Sequence, residues 1–180
     1  MLTVNKLLRS ITLSLMAIVL FTACNRISDK QSKSKIISGP RVTVYYTQAS
    51  DDLGVVLIPV YRAVDEDHTA YETAIQELFL GPTIDEQTNL KLNSEIPEGV
   101  RLIKVEESPE KVNINISSQF MRGGGSESIQ IRFRQLRETA LNLAKGRPVY
   151  LFVDGDKART IGGEGLEVPQ PLAAEQDEDK

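Results

Sequence analysis

Thr69-Ala70-Tyr71-Glu72-Thr73-Ala74-Ile75-Gln76-Glu77-Leu78-Phe79-Leu80-Gly81-Pro82 is the stretch that decides the fold, because the apolar period changes there. Tyr71, Ala74, Ile75, Leu78 and Phe79 fall at i, i+3, i+4, i+7 and i+8, so they share one face of an α-helix. Thr69 and Glu72 have capping-box spacing, each able to satisfy a backbone N–H at the helix start. Gly81 accepts a left-handed cap and Pro82 cannot continue the hydrogen-bond ladder, so the helix stops. A helix with one apolar face must bury it, and the flanking segments supply the strands to receive it.

Upstream, Val42, Val44 and Tyr46 alternate with Thr43, Tyr45 and Thr47, the period of a half-buried strand. Asp51-Asp52-Leu53-Gly54 turns the chain, and Val55 to Val64 reads as a second strand interrupted or edged by Pro59. Downstream, a polar segment with Asn93, Ser94 and Pro97-Glu98-Gly99 leads to a hairpin. Its strands are Arg101 to Glu107 and Lys111 to Ser117, joined across Ser108-Pro109-Glu110. Val112, Ile114 and Ile116 alternate with Asn113, Asn115 and Ser117, which predicts one face on the core and one in water.

After Gly123-Gly124-Gly125 the helical period returns in Ile129, Phe133, Leu136, Ala140 and Leu143. Ser126 is the expected N-cap, and Gly146 the glycine just past the end, after Lys145. Val149 to Val153 then reads as a strand, Asp154-Gly155 as a tight turn and Ala158 to Ile161 as its short partner. The order predicts one α+β domain, a mostly antiparallel or mixed sheet with two helices packed on one face.

The ends of the chain read differently. Lys6 and Arg9 precede Ile11 to Ala23, which is uncharged, and Cys24 follows as the only cysteine of 180 residues. That apolar run suits a signal-peptide core and falls short of the roughly 20 residues that span a bilayer. Phe21-Thr22-Ala23-Cys24 resembles a bacterial lipoprotein signal, with Phe21 where leucine is commonest. The resemblance implies residues 1–23 as a signal peptide and lipidation of Cys24. A transmembrane anchor and an ordinary secretory signal are the alternatives. Residues 24–40 are polar and Ser/Lys-rich and read as a lipidated start and flexible linker. The folded unit is expected over 41–172, followed by an acidic disordered tail at 173–180.

Charge and composition narrow the chemistry. The chain holds 21 basic and 25 acidic side chains and one histidine, for a formal net charge of −4. Lys6 and Arg9 are the only charges in residues 1–23, so the remainder carries 19 basic against 25 acidic, or −6. Basic residues are scattered rather than striped with aromatics, so no nucleic-acid partner is expected. One cysteine allows no disulfide within the chain, and one histidine makes a zinc site improbable. No metal and no cofactor are expected.

Several irregular segments are distinctive in their order and spacing: Leu80-Gly81-Pro82-Thr83, Ser94-Glu95-Ile96-Pro97-Glu98-Gly99-Val100, Gly123-Gly124-Gly125-Ser126, Val153-Asp154-Gly155 and Gly162-Gly163-Glu164-Gly165-Leu166. Together they resemble the GerMN domain family, over about Val42 to Leu172. The resemblance implies an extracytoplasmic domain, commonly on a lipoprotein, with a sheet backed by two helices and no established enzymatic activity. It also implies roles in sporulation, germination or peptidoglycan remodelling. One such domain stands here where the namesake sporulation protein has a tandem pair.

No catalytic constellation is visible. His68 sits at a helix start, where a solvated role is the plainer reading. Ser126 lies in Gly-Gly-Gly-Ser-Glu-Ser, which is not a nucleophile elbow. Asp65, Glu66 and Asp67 lack the order of a calcium loop. The domain is therefore read as non-enzymatic. Arg122, Gly123, Gly124, Gly125 and Ser126 form the candidate ligand site, since glycines expose backbone N–H groups at a positive helix start. The opposing reading is that these glycines only permit the turn. Asn113, Asn115 and Ser117 form the candidate interface, with an ordinary wet sheet face as its alternative. The leading expectation is a lipid-anchored envelope protein that binds envelope proteins or copies of itself. Peptidoglycan or glycan binding is the alternative.

Overall fold

The structure is a computed structural model that describes residues 39–162 and 165–173. Residues 1–38, Gly163, Glu164 and 174–180 lie outside the described residues, and with them the expected signal segment, Cys24, most of the linker and the tail beyond 173. The described residues fall in one of the two units into which the chain divides, Ser38–Lys180.

Strand β1, Arg41–Ser50, pairs antiparallel with β2, Gly54–Ala63, as a long hairpin with Val44 opposite Val60 and Tyr45 opposite Pro59. Val42, Val44 and Tyr46 are fully buried, as their alternation predicts. Helix α1, Ala70–Leu80, carries the capping box of Thr69 and Glu72 and buries Tyr71, Ala74, Ile75 and Leu78 against β1. A short helix α2, Ile84–Asn89, repeats the device with Thr83 and Glu86 but buries nothing.

Strands β3, Leu102–Glu107, and β4, Val112–Ile116, make the expected hairpin, with a bulge between Leu102 and Lys104. A 3₁₀ turn at Ser118–Met121 and helix α3, Ser126–Asn142, then cross over to β5, Val149–Val153, which pairs parallel to β4. The α+β class and mixed pairing agree with the sequence. The single sheet does not. Among the described residues the strands divide into a two-stranded sheet β1–β2, a four-stranded sheet β3–β4–β5–β6 and a two-stranded sheet β7–β8. Side chains of α3 supply the reason. The Thr139 hydroxyl accepts the Tyr45 N–H and the Gln135 amide donates to the Tyr45 carbonyl, so α3 closes the far edge of β1 at Tyr45, and a single bridge to Asn93 closes it at Thr47.

The partner of β5 also differs. Strand β6 is Asp156–Lys157, directly after the Asp154-Gly155 turn, while β7, Thr160–Ile161, pairs with β8, Leu166–Glu167. Asp154 and Gly155 both have positive φ, the geometry of a two-residue hairpin turn, so pairing resumes immediately. Farther along, the Gln170 side chain takes a strand's place. It accepts from the Leu151 N–H and donates to the Leu151 and Ala158 carbonyls.

Arg62 joins the hairpin to both neighbouring helices. Its guanidinium binds Glu77 of α1 at 2.9 Å and Glu86 of α2 at 2.8 and 2.7 Å, over the Tyr46 ring. The Tyr46 hydroxyl lies 2.7 Å from the Glu77 carbonyl and 3.0 Å from that of Gly81, so it tethers the end of α1. Burial pushes the Tyr46 phenol up to about 12, and Arg62 draws the Glu86 carboxyl down to about 2. The Leu80-Gly81-Pro82-Thr83 segment is thus the corner where Tyr46 holds one helix and Thr83 starts the next.

Candidate functional site

The triple-glycine segment is exposed from Arg122 to Ser126 and leads into α3. Gly125, not Ser126, is the N-cap, without a side-chain capping bond, and Ser126 is the first helical residue. The organising group is Arg132, which is 3% exposed one to two turns into α3. Its Nε donates to the Glu95 carbonyl at 2.9 Å, and one terminal nitrogen donates to the carbonyls of Phe120 at 2.8 Å and Arg122 at 3.1 Å. The other reaches the Gly123 carbonyl at 3.2 Å. Burial lowers the Arg132 pKa, and the nearby charge of Glu95 opposes that shift.

The loop therefore turns carbonyls inward onto a guanidinium. Its geometry is first a clamp between the 3₁₀ turn and α3. Gly124 explains one glycine of the three. Its φ is +79°, and an added Cβ would lie 2.7 Å from Ser128 Oγ and 3.0 Å from an Arg132 nitrogen. Ser128 Oγ in turn donates to Glu95 at 2.6 Å, and the Gln135 side chain accepts from the Glu95 N–H. The Ser94-to-Val100 segment and the glycine loop are thus pinned to the same helix.

Asn113 and Asn115 lie on the outer face of the four-stranded sheet, as expected, while Val112, Ile114 and Ile116 are fully buried beneath them. Ser117 does not share that face. It is 2% exposed, its N–H donates to the Arg101 carbonyl and its hydroxyl accepts from the Arg101 N–H. The strand ends at Ile116, so the alternation no longer governs Ser117. Around the two asparagines lies a shallow cleft of about 200 Å³ lined by Lys104, Glu106, Asn113, Asn115, Phe152 and Gly155.

A further surface is the outer face of β2, which reads from sequence as a strand but not as a site. Its sequence reads as a strand interrupted or edged by Pro59, and the strand runs unbroken from Gly54 to Ala63 with none of its ten residues buried. The Val64 N–H donates to the Pro40 carbonyl, so by antiparallel alternation the even-numbered residues of β2 bond to β1. Val55, Leu57, Pro59, Tyr61 and Ala63 therefore aim their backbone groups at the open edge and their side chains away from α1. No charge interrupts that row, and Tyr61 is 65% exposed. Pro59 itself was a legible signal, since proline inside a strand marks an edge.

The remaining candidates do structural work. Asp65 Oδ1 accepts the Asp67 N–H, and His68 Nδ1 lies 3.6 Å from Asp65 Oδ2. Among the described residues no cluster of three or more His, Cys, Asp or Glu is placed to hold a metal. No described helix is long and apolar enough to cross a membrane.

Residues 43–159 match a family described as Germane, sporulation and spore germination. Among solved structures, the tandem GerMN domains of the sporulation protein GerM from Bacillus subtilis are similar at a TM-score of 0.57 and 21% identity. That match covers 74% of this chain and 45% of the tandem structure. The first GerMN domain of the same protein gives a TM-score of 0.57 at 14% identity, over 73% of this chain and 97% of that domain. At these identities the likeness is one of fold. No curated protein matches the chain.

Proposed function

This chain belongs to the Germane family of sporulation and spore germination, and we propose that it is a non-enzymatic, lipid-anchored envelope protein whose domain assembles with other proteins. The observation that carries this reading is the outer row of β2. Val55, Leu57, Pro59 and Tyr61 form an uncharged apolar strip, with Tyr45 and Thr43 beside it on β1 by register. Contiguous apolar surface of this kind marks an interaction site.

The mechanism is tethered presentation. Acylated Cys24 holds the domain at a membrane through a linker with a random-coil span of roughly 20–25 Å. The tether raises the effective concentration of the β2 strip for any partner in the same membrane. Stable anchoring needs more than one acyl chain, which a multiply acylated cysteine supplies. Sporulation, germination or envelope maintenance are the processes in which such an assembly would act.

A photoreactive residue in place of Tyr61, in the full chain and its native envelope, tests the reading. Discrete adducts with protein are expected at position 61 and not at Glu110, in the turn of the distant hairpin. No protein adduct at position 61, or the same adducts at both positions, would contradict it.

A further inference from the structure

The cleft on the outer face of the four-stranded sheet has a chemistry that a protein-docking strip does not need. Register places Lys104 beside Asn115 and Glu106 beside Asn113, and continues the two rows to Phe152 and Tyr150 on β5. Each polar group is oriented by a neighbour. Glu106 is held by the Lys104 ammonium at 2.6 Å and by the Asn113 amide at 3.3 Å. Asn115 Oδ1 accepts the Gly155 N–H at 3.0 Å, which turns the amide nitrogen of Asn115 away from the backbone turn. Lys157 lies 4.5 Å from the centre of the Tyr150 ring and covers it, so Phe152 is the aromatic side chain that lines the cleft.

These groups leave a defined set of unused capacity. A carboxylate offers about four lone-pair positions and an ammonium three donors, so Glu106 and Lys104 can each bind a further group. The amide nitrogens of Asn113 and Asn115 add donors. An acceptor and several donors side by side suit adjacent hydroxyl groups, each of which gives one hydrogen bond and takes others. The Phe152 ring suits the C–H face of a pyranose. Lys104 and Glu106 neutralise each other, so the lining itself carries no net charge, and Lys157, opposite Phe152 on β6, lies over the Tyr150 ring instead. The asparagines stand on β4, between β3 and β5, which fixes their positions without a mobile loop.

We propose that the cleft lined by Lys104, Glu106, Asn113, Asn115 and Phe152 is a binding site for one neutral sugar ring of a saccharide. The ring stacks on Phe152, and adjacent hydroxyls bond to Lys104, Glu106 and Asn115. Its volume of about 200 Å³ limits it to a shallow, weak site. The site is separate from the β2 strip, so it stands whether or not that strip docks a protein.

The test is a titration of the full chain in detergent micelles with trimeric N-acetylglucosamine, following the side-chain amide signals of Asn113 and Asn115 by NMR. Saturable shifts at millimolar sugar are expected. Phe152→Ala should weaken binding at least tenfold. Lys104→Met, on an exposed side chain, should weaken it with the backbone spectrum unchanged, which provides the answer if Phe152→Ala unfolds the protein. Glucose 6-phosphate is the charged control. No shift with the trimer or with maltotriose at roughly 10–20 mM, about ten times a millimolar Kd, would overturn the proposal. Equal binding by the Lys104→Met variant would overturn it too, as would tighter binding of the phosphorylated sugar.

Discussion

The guanidinium of Arg62 grips the carboxylate of Glu86 with two bonds of 2.8 and 2.7 Å, and Glu86 also accepts the Thr83 N–H. One acidic side chain thus closes a helix start and locks α2 to the hairpin. Both side chains are only 14% exposed, so solvent screens the pair little. The Glu86 carboxyl is drawn from 4.5 down to about 2, chiefly by Arg62. Its folded-state pKa is depressed, so the stability it contributes is present above pH 4.5 and is lost as pH falls from there toward 2. Glu86→Gln should remove about 2 kcal/mol at pH 7 and flatten the acid limb between those values. Urea midpoints measured from pH 7 to pH 2 check this, and an unchanged acid slope would contradict it.

Arg132 is the second lock. Its four carbonyl partners come from two separate segments, Glu95 and residues 120–123, so removing it leaves several inward-facing acceptors unpaired. Arg132→Met should cost about 3 kcal/mol. Arg132→Lys should restore little, because a point-like ammonium cannot span the fork. Equilibrium denaturation of the two variants decides; full rescue by lysine would refute the clamp.

The glycines of the loop are not equivalent. Gly124 combines a φ of +79° with a close approach to Ser128, whereas Gly125 has a φ of −86° and open space around its Cβ position. Gly124→Ala should destabilise by about 1–3 kcal/mol, and Gly125→Ala by well under 1 kcal/mol. Thermal melts of the pair test this. Equal losses would mean that the loop is strained elsewhere.

Pro59 sits where β2 would offer an N–H to the solvent edge, opposite Tyr45, so it leaves the ladder with β1 intact. An edge strand whose outward row carries no charge relies on such breaks to resist pairing with another chain. Pro59→Val restores the missing donor in an uncharged apolar row. It should raise self-association at unchanged secondary structure, read by sedimentation velocity over a concentration series. A variant that sediments as the parent does would show that the proline guards nothing.

Much of this architecture was legible in the residues. Period-two alternation found β1 and β4, and the capping box with its i, i+3, i+4 face found α1, because each rests on a repeat that burial enforces. Helix α2 escaped since it buries no residue and leaves no apolar period, although Thr83-Ile84-Asp85-Glu86 repeats the capping spacing of Thr69 to Glu72. The division into separate sheets was hidden because it depends on Gln135 and Thr139 reaching Tyr45 from about 90 residues away. No local pattern carries such a contact. The glycine loop was found as a segment but not as a clamp, since the buried cation Arg132 reads from sequence as an ordinary exposed helix residue. The same limit misplaced Ser117, whose burial follows from the strand's end rather than from its alternation.

Assembly through the outer row of β2 should be abolished by replacing Leu57 and Tyr61 together with lysine. Both side chains point away from the core, so circular dichroism and thermal stability should match those of the parent. Chemical crosslinking of the full chain in its native envelope is then compared between the two proteins. Bands above the monomer are expected for the parent and should be lost in the lysine variant. The same bands in both would contradict it.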